Sequence, residues 1–65
     1  MGGKKTFAII ATTHESDGTK TSVVDGMCSD LQDAISICKV NNEEYRKKRE
    51  ENKLLPKVVW SYMEV

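Results

Sequence analysis

SDLQDAISICKVNNEEYRKKREENK, residues 29–53, decides how this chain folds. Ser29 can cap a helix, and Gln32 follows three residues later, the spacing of a capping box. Asp30 and Asp33 place negative charge in the first turn, where it favours the helix dipole. Leu31, Ala34, Ile35, Cys38 and Tyr45 recur at helical spacing and form the stripe expected against a sheet. Glu43 with Lys47 and Glu44 with Lys48 add i,i+4 pairs, each worth roughly 0.2–0.5 kcal/mol. Asn41-Asn42 interrupts the stripe, so either the helix breaks there with a second cap or it runs through. If continuous from Asp30 to Asn52 it spans about 33 Å at 1.5 Å per residue. An eight-residue strand spans only about 26 Å. The second half of a continuous helix is therefore expected to overhang the sheet or bend away.

On the C-terminal side, Pro56 disfavours helical geometry at Leu55 and ends the helix. KVVWSYMEV, residues 57–65, is the clearest strand, with Val58, Trp60 and Tyr62 alternating against Val59, Ser61, Met63 and Val65. On the N-terminal side lie two more strands, TFAIIATT and TKTSVVDGMC. Asp17-Gly18 between them is a hairpin signal. A three-residue loop with Gly18 left-handed sets Ala11 against Val23 and Phe7 against Met27. A two-residue loop sets Ala11 against Val24 and Phe7 against Cys28. One step swaps the faces of the second strand. Asp25-Gly26 permits a bulge or an exit bend near its end.

The order is strand, strand, helix, strand in one domain, residues 1–65, with residues 1–5 a flexible start. A helix that carries the chain back across the sheet lets the third strand lie antiparallel beside the first. The expected architecture is α+β, a three-stranded, mainly antiparallel sheet of order 2-1-3 with the helix on one face. The alternative sets strand three parallel beside strand two, through a right-handed crossover. In outline the chain looks like small bacterial and phage proteins made of a hairpin, a capped helix and a final strand, although no residue motif makes that likeness specific.

One helix covers one face of such a sheet, yet the strands carry apolar residues on both. The uncovered face is expected to hold Ala8, Ile10, one of Val23 or Val24, and either Trp60 with Tyr62 or Val59 with Met63 and Val65. Exposed apolar patches of that kind mark interaction sites. At 65 residues and 38% hydrophobic content, the core is small, which raises the expectation of self-association.

Chemistry is sparse. His14, Glu15 and Asp17 crowd the hairpin tip, but a tip is exposed and Ser16-Asp17-Gly18 are turn residues for conformational reasons. One histidine and two cysteines ten residues apart fit no ordinary zinc spacing. There is no phosphate loop, nucleophile elbow or Cys-x-x-Cys. No enzyme activity, metal or cofactor is implied. Ten basic residues balance ten acidic ones, which argues against a generic nucleic-acid or anionic-membrane binder. The longest apolar run, FAIIA, is too short to span a membrane. The two thiols are expected to stay reduced, and with nothing to export it the chain is expected in the cytoplasm.

These readings converge on a small non-enzymatic interaction or regulatory module that binds a protein partner or itself, a phage-type accessory or inhibitor protein being one form of it. The residues expected to carry binding are Ile10, Val59, Trp60, Tyr62 and Met63 on the sheet. Tyr45, Arg46, Lys47, Lys48 and Arg49 on the helix form the second candidate surface. The alternative is a nucleic-acid-binding regulator using residues 46–49 with Lys4 and Lys5. Four consecutive helical residues point in four directions, which weakens that alternative.

Overall fold

The computed structural model describes residues 5–65; the rest of the expected flexible start, and Lys4, lie outside the described residues. The elements are β1 (Phe7–His14), β2 (Lys20–Cys28), α1 (Leu31–Glu51) and β3 (Lys57–Glu64). Both strand pairings are antiparallel, the sheet order is β2-β1-β3, and α1 packs on one face. The α+β expectation holds, and β3 takes its place beside β1 rather than β2.

The hairpin resolves the register in an unexpected way. Gly18 donates its N–H to the Glu15 carbonyl at 3.1 Å, and Glu15 donates to Thr19 at 2.8 Å. Gly18 has φ +92°, a left-handed value that glycine adopts without a Cβ penalty. The loop is thus Ser16-Asp17-Gly18, and Ala11 faces Val23 as that loop requires. Phe7 nevertheless faces Cys28, the pairing of the shorter loop. Both registers occur because Asp25 is an extra residue between Val24, opposite Ile10, and Gly26, opposite Ile9. The bulge moves the end of β2 by one step and turns Cys28 towards the helix and Met27 away from it.

Asp17 steadies the turn by accepting the Thr19 N–H at 2.9 Å. Hydrogen bonds from Thr19 hold its carboxyl below the ordinary carboxylate value. A carboxyl depressed in the folded state stabilises above its unfolded pKa and loses that effect as pH falls through the folded one. An Asp17→Ala variant should therefore melt slightly below the parent at neutral pH. The gap should close as pH drops through and below the ordinary value of 3.8. Melting curves across that range check it, and a gap independent of pH would deny the carboxylate its role.

The helix departs from expectation at its N-cap and in the path of its second half, and it settles the point left open at Asn41-Asn42. Its N-cap is Asp30, not Ser29: the Asp30 carboxylate accepts the Gln32 N–H at 2.8 Å. Both residues can cap, and the one adjacent to Leu31 does so, leaving no box with Gln32. Nor does α1 break at Asn41-Asn42, and its second half does not swing free. Asn42 bonds to the backbone of Trp60, Tyr45 donates its hydroxyl to the Pro56 carbonyl at 2.6 Å, and Arg49 Nε donates to the Leu55 carbonyl at 3.4 Å. The helix lies along the β3 side of the sheet.

The core is thin. Phe7 and Ile9 from β1 meet Ala34 and Cys38 from α1, with Cys28 and Trp60 at the rim. Ala34 is fully buried, and its small side chain admits the helix close to β1. Phe7 meets Tyr62 edge-on at 6.3 Å between ring centres, and Trp60 meets Tyr45 at 5.5 Å. Leu31 and Ile35, on the expected stripe, stay more than a third exposed, as do Ile37 and Val40 off it. The radius of gyration is 13.6 Å, against about 11 Å for a compact domain of this length. This is a flat slab with little interior.

Candidate functional site

Paired residues of antiparallel strands share a face, so the register assigns every side chain of the sheet. Towards α1 point Phe7, Ile9 and Ala11 with Val58, Trp60 and Tyr62. Away from α1 point Ala8, Ile10, Thr12 and His14, paired on one side with Met27, Val24, Ser22 and Lys20 and on the other with Met63, Ser61, Val59 and Lys57.

The open face therefore has a graded composition. One row is Met27–Ala8–Met63 and the next is Val24–Ile10–Ser61; Val65 adjoins the first through a bond from its N–H to the Thr6 carbonyl. Val24 is 61% exposed, Met27 57% and Met63 54%, while Ala8 between the two methionines is buried. The row Ser22–Thr12–Val59 is mixed, its Thr12 and Ser22 hydroxyls hydrogen-bonded at 2.9 Å. Lys20–His14–Lys57 ends the face in positive charge.

The five sheet residues expected to bind do not share a surface. Ile10, Val59 and Met63 lie on the open face. Trp60 and Tyr62 lie on the helix side, and Trp60 is committed to the fold. Its Nε1 donates to Asp25 of β2 at 3.2 Å, which requires the indole to cross over small Ala11. Alternation alone left either β3 set free to face outward; the structure exposes the Val59, Met63, Val65 set. Of the two valines, Val24 joins it, and Val23, also exposed, stands on the helix side beyond the reach of α1.

The second candidate surface divides as well. Tyr45 is half-buried and hydrogen-bonded. Lys47 and Lys48 are exposed on the helix. Arg46 and Arg49 line a cleft of about 320 Å³ with Asn42, Lys57 and Val58. Arg49 and Lys57 continue into an adjoining cleft of about 340 Å³ that also takes in His14, Glu15, Ser16 and Lys53. Lys53, Lys57 and His14 come from a loop and two strands, and the register turns the Lys57 and His14 side chains to the open face.

Among the described residues no group of histidine, cysteine and carboxylate side chains could hold a metal ion, and no helix is long and apolar enough to cross a membrane. Both cysteines are free thiols, Cys38 buried and Cys28 half-buried. Burial pushes the Cys38 thiol up, and neighbouring Cys28 pushes it the same way. A buried thiol held protonated is a poor nucleophile. His14, Glu15 and Asp17 sit at or beside the three-residue turn, with Asp17 Oδ1 accepting the Thr19 N–H. Compared with protein-family models, curated proteins and solved structures, the chain matches none.

Proposed function

We propose that the chain is a small non-enzymatic cytoplasmic interaction module that associates with a second copy of itself through the open face of its sheet. The observation that carries this reading is the apolar half of that face: Val24, Met27, Met63 and Val65 exposed around Ile10 and Ala8. The same surface offers both projections and a hollow, because flexible methionines flank a buried alanine. A two-fold contact needs such self-complementarity, since each copy presents the same patch. An antiparallel arrangement over the methionine rows also sends the two Lys20–His14–Lys57 ends in opposite directions, away from each other.

Size limits the strength. Three strands at about 4.8 Å spacing and about 26 Å length present roughly 370 Å² in outline, well under the ~800 Å² per partner of a standard interface. The dimer should exchange readily with monomer. Sedimentation across a concentration series should show mass rising from one chain towards two. Met63→Lys places an ammonium in the contact and should hold the protein monomeric while leaving the melting of dilute monomer nearly unchanged, because Met63 is 54% exposed and lies on the face away from the Phe7–Ile9–Ala34–Cys38 core. A parent that stays monomeric at all concentrations sinks the proposal.

A further inference from the structure

We infer that Met27 and Met63 form an oxidation-sensitive pair on the open face, and that a peroxide, by converting their thioethers to sulfoxides, releases the second copy. This deepens the sheet-face reading and rests on it for the contact that oxidation breaks. The two side chains stand at either end of one row, on β2 and β3, with buried Ala8 between them. Met27 is 57% exposed and Met63 54%, so a peroxide approaches both in the monomer without any opening of the fold. A contact smaller than a standard interface exchanges with monomer, and each exchange returns both side chains to solvent.

Sulfur is divided between the two faces of the sheet. Cys28 turns towards the helix and donates its Sγ–H to the Asp30 carbonyl at 3.6 Å, while Cys38 is buried in the core between α1 and β1. A thiol reacts through its thiolate, a form that burial disfavours at Cys38. A thioether has no proton to lose, so exposure governs its oxidation. Its sulfur lone pair attacks one peroxide oxygen and the O–O bond breaks. With hydrogen peroxide, one oxygen stays on sulfur and the other leaves as water. Sulfur gives up two electrons and the peroxide takes them.

The product presents a different surface. A flexible apolar side chain becomes a polar one carrying a strong hydrogen-bond acceptor. Of the open-face neighbours Ala8, Ile10, Val24, Ser61 and Val65, only Ser61 has a side-chain donor. Most of the new oxygens would therefore be unpaired in the contact, which costs association its strength. The fold is spared, because Phe7, Ile9, Ala34 and Cys38 meet on the other side of the sheet. The change is also reversible. A methionine sulfoxide reductase returns the oxygen as water while a dithiol is oxidised to a disulfide.

The test is sedimentation of the whole chain before and after hydrogen peroxide, with peptide mass spectrometry reading the oxygen added at each methionine. Oxidation of both residues should raise the dimer dissociation constant about a hundredfold or more, as for two unpaired acceptors per copy at about tenfold each. Melting of dilute monomer should stay nearly unchanged. Reductases for both sulfoxide epimers, with dithiothreitol, should restore association. Met27→Leu with Met63→Leu conserves apolar volume and keeps both cysteines. That variant should associate as the parent does and ignore peroxide. Association that persists with both residues mapped as sulfoxides, or a double-leucine variant that peroxide still dissociates, would overturn the switch and leave the face contact standing. A reduced parent that never associates fails the sheet-face reading itself, and the switch with it.

Discussion

Replacing Ile9 by alanine should leave the chain largely unfolded near physiological temperature. Among the described residues Ile9 is the most deeply buried large side chain, at 2% exposure. It is the third residue of the central strand, on the face that meets Ala34 and Cys38. Isoleucine-to-alanine changes at such sites cost about 2–5 kcal/mol, the larger values where the surroundings cannot collapse. Collapse is poor here, because the neighbours above are a helix backbone at Ala34 and a short thiol at Cys38. A domain of this size holds roughly 3–5 kcal/mol from a single core. The loss is comparable with the whole. Urea titration followed by circular dichroism should show Ile9→Ala without a folded baseline, and Ile9→Val only about 1 kcal/mol less stable. Both are to be measured at one protein concentration, since association adds to apparent stability. A cooperative Ile9→Ala transition close to the parent's would mean that stability resides elsewhere, with the partner copy the first place to look.

The same thinness explains what the sequence disclosed and what it hid. Strand order, the buried Ala34–Cys38 line of the helix and its end before Pro56 follow from local signals, while Asp17-Gly18 announced the hairpin but left two- and three-residue loops open. The face of β2 did not, because Asp25 shifts the register midway along the strand. That carboxylate is held by Trp60, thirty-five residues away, a contact no local pattern announces. Which of two alternating sets on β3 is exposed depends in turn on where the helix settles. The clefts were hidden for a related reason. Read along the chain, Arg46 to Arg49 looked like four unrelated directions, and only the return of β3 and the hairpin forms the two clefts beside Arg49.

Asn42 is the clearest case of a residue that local signals left undecided, and it yields the second large effect. Taken alone, Asn41-Asn42 is poor helix material that suggests a break. In the structure Asn42 Nδ2 donates to the Trp60 carbonyl at 3.0 Å while its Oδ1 accepts the Trp60 N–H at 2.7 Å. The Val65 N–H bonds to the Thr6 carbonyl just before β1, and ladder alternation then turns the N–H and C=O of Val58, Trp60 and Tyr62 to the outer edge of β3. The carboxamide thus pairs with the edge as another strand would, and occupies the middle of an edge otherwise open to intermolecular pairing. Asn42→Ala removes two hydrogen bonds worth about 1 kcal/mol each and leaves two part-buried groups unsatisfied at a further cost. Better helix propensity returns roughly 0.6 kcal/mol. The net loss should be about 2 kcal/mol. Asn41→Ala, one residue away and without such a bond, should instead gain a few tenths, about the propensity difference alone. Hydrogen exchange gives the decisive readout: the Trp60 amide should be protected in the parent and in Asn41→Ala, and should exchange as fast as those of Val58 and Tyr62 in Asn42→Ala. With the edge uncovered, Asn42→Ala should also aggregate sooner on warming. Equal stability of the two alanine variants, or a Trp60 amide that stays protected in both, would show that the helix does not guard this edge.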